Sequence, residues 1–156
     1  MAGINYKRNT WSMAFALLLI LGALPISAFA PGSEGWQMFA RVPFKSTYFK
    51  EINEYFLVPT FTKELRAHEG KEMELRGHFI PMDMDGNNIV LSKFPYAACF
   101  FCGGAGPESV AEVQFKNKKP KLKPDKVISI RGKLQLNGTD INHLNFILKD
   151  AELIQP

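Results

Sequence analysis

The sequence predicts an all-β domain with one short helix: a five-stranded barrel of the oligonucleotide/oligosaccharide-binding (OB) type, preceded by an aromatic-rich N-terminal segment. Three observations carry that prediction. From Glu72 to the end of the chain, apolar residues recur at every second position, which is the period of half-buried strands. No two of these runs are separated by a long helical pattern. The first and fourth runs, "MELRGHFI" and "ISIRGKLQL", share an Arg-Gly-basic centre and place Gly77 and Gly132 on their inward faces. An inward glycine marks a strand that bends or is approached closely by another backbone. A barrel whose first and fourth strands curl round to meet other strands needs such positions; an open sandwich does not.

The 156 residues divide into 1–30, 31–71 and 72–156. The first part carries Lys7 and Arg8 and then no charge from Trp11 to Ala30. Its apolar stretch, Trp11 to Leu24, falls short of the roughly 20 residues of a membrane span but suits a secretory signal, and Ser27, Ala28 and Ala30 follow it. The protein is therefore expected outside the cytoplasm, periplasmic or extracellular, with cleavage after Ala28 or Ala30. Pro31 is an awkward residue for a signal peptidase, so the alternative is an uncleaved anchor in the inner membrane formed by residues 11–30. Membrane contact is expected through that segment alone. The whole chain has a formal charge of +4, but without Lys7 and Arg8 the remainder holds 17 Lys plus Arg against 15 Asp plus Glu. A nearly neutral exported domain gives no reason to expect nucleic acid as a partner. Some 126 residues suffice for one hydrophobic core.

Residues 31–71 begin with "GWQMFARVPFKSTYFKEINEYFLVPTF". Trp36, Phe39, Phe44, Tyr48, Phe49, Tyr55 and Phe56 are too many rings for a disordered tail. They are expected to cover the open face or bottom of the barrel; an exposed aromatic ledge is the alternative. "TFTKELRAHEG" reads as a short helix, with Thr62 as N-cap and Gly70 as its stop. His68 in its last turn sits near helix carbonyls, the place of a solvated histidine rather than a ligand.

The barrel strands follow in order. "EMELRGHFI" turns Met73, Leu75, Gly77 and Phe79 inward; "PMDMDGNN" supplies a turn at Asp85-Gly86; "NNIVLS" returns with Ile89 and Leu91 inward. "SVAEVQFK" contributes Ala111, Val113 and Phe115. "KVISIRGKLQLN" contributes Ile128, Ile130, Gly132, Leu134 and Leu136, and the closing "NHLNFILKDAELI" contributes Leu144, Phe146 and Leu148.

"ACFFCGGAGPES" holds both cysteines, Cys99 and Cys102, at CxxC spacing. A thioredoxin-type centre needs the first turn of a helix to stabilise its thiolate. Gly103, Gly104 and Gly106 would each cost about 1 kcal/mol in a helix, and Pro107 follows them. Outside the cytoplasm a Cys99–Cys102 disulfide is one reading, closing a very small ring as a local clip. A zinc or copper site is another, with both cysteines as thiolates and the glycine N–H groups supporting the sulfurs. His78 is the best further ligand, because a hairpin centred on Asp85-Gly86 sets it opposite about Lys93, six residues from Cys99. His143 is a second candidate, and Asp83 and Asp85 are too few to argue calcium. "KNKKPKLKPDK" makes Lys118, Lys119, Lys121 and Lys123 candidate contacts for an acidic partner or an anionic surface. Its prolines exclude a helix, and a solvated loop beside a strand edge is the competing reading. No nucleophile–base pair, carboxylate pair or phosphate-binding loop stands out.

"PTFTKELRAHEGKEMELRGHFIPMD", "LSKFPYAACFFCGGAGPESVAEV" and "VISIRGKLQLN" together resemble a family of small exported bacterial proteins of unknown function, over roughly Trp36 to Leu153. The resemblance brings no reaction. It implies an envelope protein as partner, of the class that includes components of ABC-type transport systems. The expected function is an exported, non-catalytic binding or accessory module of the cell envelope, holding metal through the CxxC loop. A thiol–disulfide redox protein and a purely structural accessory with a disulfide-clipped loop are the alternatives.

Overall fold

The computed structural model describes residues 32–82 and 87–155. Residues 1–30, expected to form an export signal or anchor, and the turn expected at Asp85-Gly86 both lie outside the described residues.

The lead-in is not one structure but two. Helix α1 (Ser33–Phe39) lies across the barrel, its Trp36 indole Nε1 donating to the Arg76 carbonyl at 2.8 Å. Phe39 is fully buried and stacks on Phe146, ring centroids 4.0 Å apart and nearly parallel. Phe44 and Phe61 meet the same Phe146 ring edge-on. Trp36, Phe39 and Phe61 belong to the main core, and Phe44 packs against it. Strands β1 (Phe44–Phe49) and β2 (Glu54–Pro59), which the sequence reading did not separate from the lead-in, pair with each other as an antiparallel hairpin and form a sheet of their own. Tyr48 and Tyr55 on this hairpin are exposed, as is Leu57. Their burial was not needed, because the rings pack in pairs across the hairpin, Tyr48 on Tyr55 and Phe49 on Phe56.

Helix α2 (Lys63–Arg66) is short and begins as its sequence dictates, the Thr62 hydroxyl accepting from the Leu65 N–H at 3.2 Å. It buries Leu65 completely. Gly70, at φ +78°, ends the segment and donates to the Leu134 carbonyl.

Strands β3 (Glu72–Ile80), β4 (Asn88–Ser92), β5 (Val110–Phe115), β6 (Val127–Leu136) and β7 (Phe146–Gln155) form a closed barrel in the order β3-β4-β5-β7-β6, with β6 pairing back to β3. Every ladder is antiparallel except β5 with β7. This is an all-β, OB-like barrel. Met73, Leu75, Ile89, Leu91, Ala111, Val113, Ile128, Ile130, Leu134, Phe146 and Leu148 share one core with Trp36, Phe39 and Leu65, as the two-residue period predicts. Phe79, Phe115 and Leu136 are partly buried against it. The two inward glycines are places of close approach. A Cβ on Gly77 would meet the Ser92 carbonyl oxygen, and one on Gly132 would stand 2.9 Å from the Lys149 carbonyl oxygen. The β3–β4 register sets His78 opposite Ser92, one residue before the Lys93 expected from a turn centred on Asp85-Gly86.

A second, smaller core lies outside the first. Ile80 and Val90 pack there with Val110 and Cys99, and Phe100 and Leu144 lean on it. It exists because the segment between β4 and β5 folds back over the strands that it connects.

Candidate functional site

The fold-back is built from two turns of 3-10 helix, Tyr96–Ala98 and Phe100–Cys102. Cys99 sits between them, extended and fully buried in the outer core, while Cys102 is exposed. Their Sγ atoms stand 3.9 Å apart as two free thiols. The Cys102 thiol is pushed above its ordinary pKa, first by desolvation and then by its hydrogen bond and charge interaction with Cys99. The glycine N–H groups do not support the sulfurs as expected: Gly103 donates to the Phe100 carbonyl and Gly104 to that of Cys99.

His78, the expected third metal ligand, turns its Nδ1 to Asp125, 3.1 Å from the carboxylate, and the same carboxylate accepts from the Tyr96 N–H at 2.9 Å. Asp125 takes this position with φ +61° at the end of the lysine-rich loop. Among the described residues, no three His, Cys, Asp or Glu side chains converge as a group that could hold a metal. Lys118, Lys119, Lys121 and Lys123 are exposed, and the loop that bears them is pinned by Leu122 against the main core. His68 is engaged locally, its Nδ1–H donating to the Glu64 carbonyl at 2.9 Å.

What the sequence reading passed over is Glu112. Its place on β5 is an outward one, yet its side chain is completely buried. The carboxylate receives the Asn88 amide at 3.2 Å, the Gln114 amide at 2.7 Å and the Leu144 N–H at 3.2 Å. The His143 Nδ1 stands 3.0 Å from both of its oxygens. A carboxylate so placed fixes the ring orientation and, in the neutral imidazole, the tautomer that leaves Nε2 as an acceptor. No partner contacts Nε2 among the described residues.

The loop that delivers His143 is itself tied down. Asn137 donates from Nδ2 to the Asp140 and His143 carbonyls at 2.7 and 3.0 Å, and its Oδ1 accepts from the Asp140 N–H at 2.9 Å. Hydrogen bonds from the Asn142 backbone and then its side chain, with a smaller contribution from nearby His143, hold Asp140 below the usual carboxylate range.

This loop, the β1–β2 hairpin, the Cys segment and the start of β5 enclose a cleft of about 380 Å³. Phe49, Tyr55, Phe56 and Phe100 supply rings to its wall, and Asp140 and His143 supply polar groups. Comparison with protein-family models and with curated proteins finds no match. The chemistry of the site therefore rests on these residues. His143 was legible as a candidate, but its partner was not: nothing in "SVAEVQFK" distinguishes Glu112 from a solvated strand carboxylate.

Proposed function

We propose that this protein is an exported, non-catalytic binding module of the bacterial cell envelope, and that it takes its ligand in the cleft between the β1–β2 hairpin, the Cys segment and the loop before β7. The observation that carries this reading is the cleft itself. Its volume falls in the range of about 300–1,000 Å³ usual for ligand pockets, and its mostly apolar wall with one oriented polar group is the usual composition. The uncharged stretch from Trp11 to Ala30 supports export. The resemblance to small exported proteins supports an envelope partner, of the class of ABC-type transport components.

A fragment screen by NMR on isotope-labelled protein tests the reading. Bound fragments are expected to shift resonances of residues 138–145 and of β2. Leu57→Trp, which fills the cleft from an exposed wall position, is expected to leave the fold intact and abolish those shifts. Fragment shifts that map elsewhere, or survive Leu57→Trp, would remove the cleft from the proposal.

A second reading, zinc or copper held by Cys99 and Cys102, is favoured by one distance. Two thiolates on a tetrahedral ion at about 2.3 Å stand about 3.8 Å from each other, and these sulfurs stand 3.9 Å apart. The raised Cys102 pKa points away from the redox alternative, which needs a stabilised thiolate. Alkylation of Cys102 in the metal-free protein should be slow at pH 7 and accelerate only above the ordinary thiol range. Added zinc is expected to suppress it further at alkaline pH; unchanged alkylation in zinc and in copper would dispose of the metal reading.

A further inference from the structure

The cleft's charge is as informative as its shape. Among the described residues, no Lys or Arg lines the cleft. Its titratable lining groups are Asp140, at the rim, His143 and Tyr55. Directly behind His143 lies the Glu112 carboxylate, which among the described residues has no Lys or Arg as partner. Four aromatic residues, Phe49, Tyr55, Phe56 and Phe100, are among those that line the same space.

We propose that the ligand is an organic cation, an alkylammonium or quaternary ammonium group, with its charge towards Asp140 and the Glu112–His143 pair and its carbons among the rings of Phe49, Tyr55, Phe56 and Phe100. This rests on the cleft being the binding site. The ring faces attract such a cation through their quadrupoles. In the neutral imidazole a primary or secondary ammonium also donates to the His143 Nε2, an acceptor that the hydrogen bond from Nδ1 to Glu112 has already oriented. An anion would meet the Asp140 carboxylate, with the buried Glu112 carboxylate behind His143 and, among the described residues, no Lys or Arg in the lining. A neutral hydrocarbon would leave Nε2 and the outer Asp140 oxygen desolvated and unmatched, which is costly in an apolar wall. Asp140 is ionised across the neutral range, since Asn142 lowers its pKa.

Choline and its neutral carbon isostere, 3,3-dimethylbutan-1-ol, separate charge from shape, and 3,3-dimethylbutanoate supplies the anion. In NMR titrations of the full mature domain, choline is expected to shift residues 138–145 and β2 with an affinity at least about tenfold above the isostere, and the anion is expected not to bind. Asp140→Asn keeps an oxygen for the Asn142 N–H and should cost choline about tenfold. Tyr55→Ala, at a position 71% exposed, leaves the fold alone and should also weaken it. Equal binding of choline and the isostere at the cleft would overturn the cation while leaving the cleft reading in place. Failure of all three probes to shift the cleft would overturn the cation as well, and a blank fragment screen beside it would overturn the cleft reading too.

Discussion

Glu112→Ala is expected to destabilise the protein by about 3 kcal/mol, read as a fall in the urea midpoint at constant slope. The carboxylate accepts from the Asn88 amide, the Gln114 amide and the Leu144 N–H. A buried donor left without an acceptor costs about 1–3 kcal/mol. Three such donors would exceed the figure given, but the cleft lies beside them and admits water, which recovers part of the loss. His143, 40% exposed in its side chain, turns to solvent and adds little. Glu112→Gln retains one acceptor oxygen and should cost less than half as much. A loss below about 0.5 kcal/mol for the alanine variant would mean that water replaces the carboxylate outright, and that the carboxylate does not hold the loop before β7.

The same residue shows where the sequence stops being informative. Inward positions such as Leu75, Ile89, Val113 and Ile130 were legible because burial inside a barrel follows the pleat, and the pleat has a period of two. Glu112 sits at an outward position, where a carboxylate is the ordinary occupant. It is buried where the loop from Asn137 to Asn145 folds over β5 and brings His143 and the Leu144 N–H to its carboxylate. That cover comes from residues some thirty places away, and no local pattern encodes it.

The hairpin of β1 and β2 was missed for a related reason. Counting rings predicts burial, but Tyr48 and Tyr55 satisfy part of that demand by packing on each other at the surface. Cys99 and Cys102 were legible as a pair and as part of a non-α-helical loop. That one thiol is core and the other surface follows from Ile80 and Val90, outward residues that the sequence left without a neighbour.

Gly77→Ala is expected to cost about 2–3 kcal/mol, the upper part of the range for forcing an extra carbon into a packed site. The added Cβ lands on the Ser92 carbonyl oxygen, with the Ser92 carbonyl carbon 3.1 Å away and Leu91 Cγ 3.2 Å away. Two of these atoms are backbone and cannot swing aside. Relief requires β3 and β4 to separate where His78 faces Ser92, in a ladder whose register comprises three residue pairs. Gly138→Ala is the matched control, because its Cβ would make only ordinary contact, 3.7 Å from Phe61. It should change stability by less than about 0.5 kcal/mol. The damage at Gly77 should also travel. Ser92 Oγ accepts from the Phe94 N–H at 3.1 Å, and Lys93 N–H donates to the Ser109 carbonyl, so displacement of Ser92 pulls on both ends of the Cys segment. Thiol labelling of native Gly77→Ala should therefore reach Cys99, which is fully buried in the unaltered protein, well before global unfolding. If Cys99 stays protected while stability falls by the expected amount, the clash is absorbed within β3, and the Cys segment is held by its own outer core rather than by the strand beneath it.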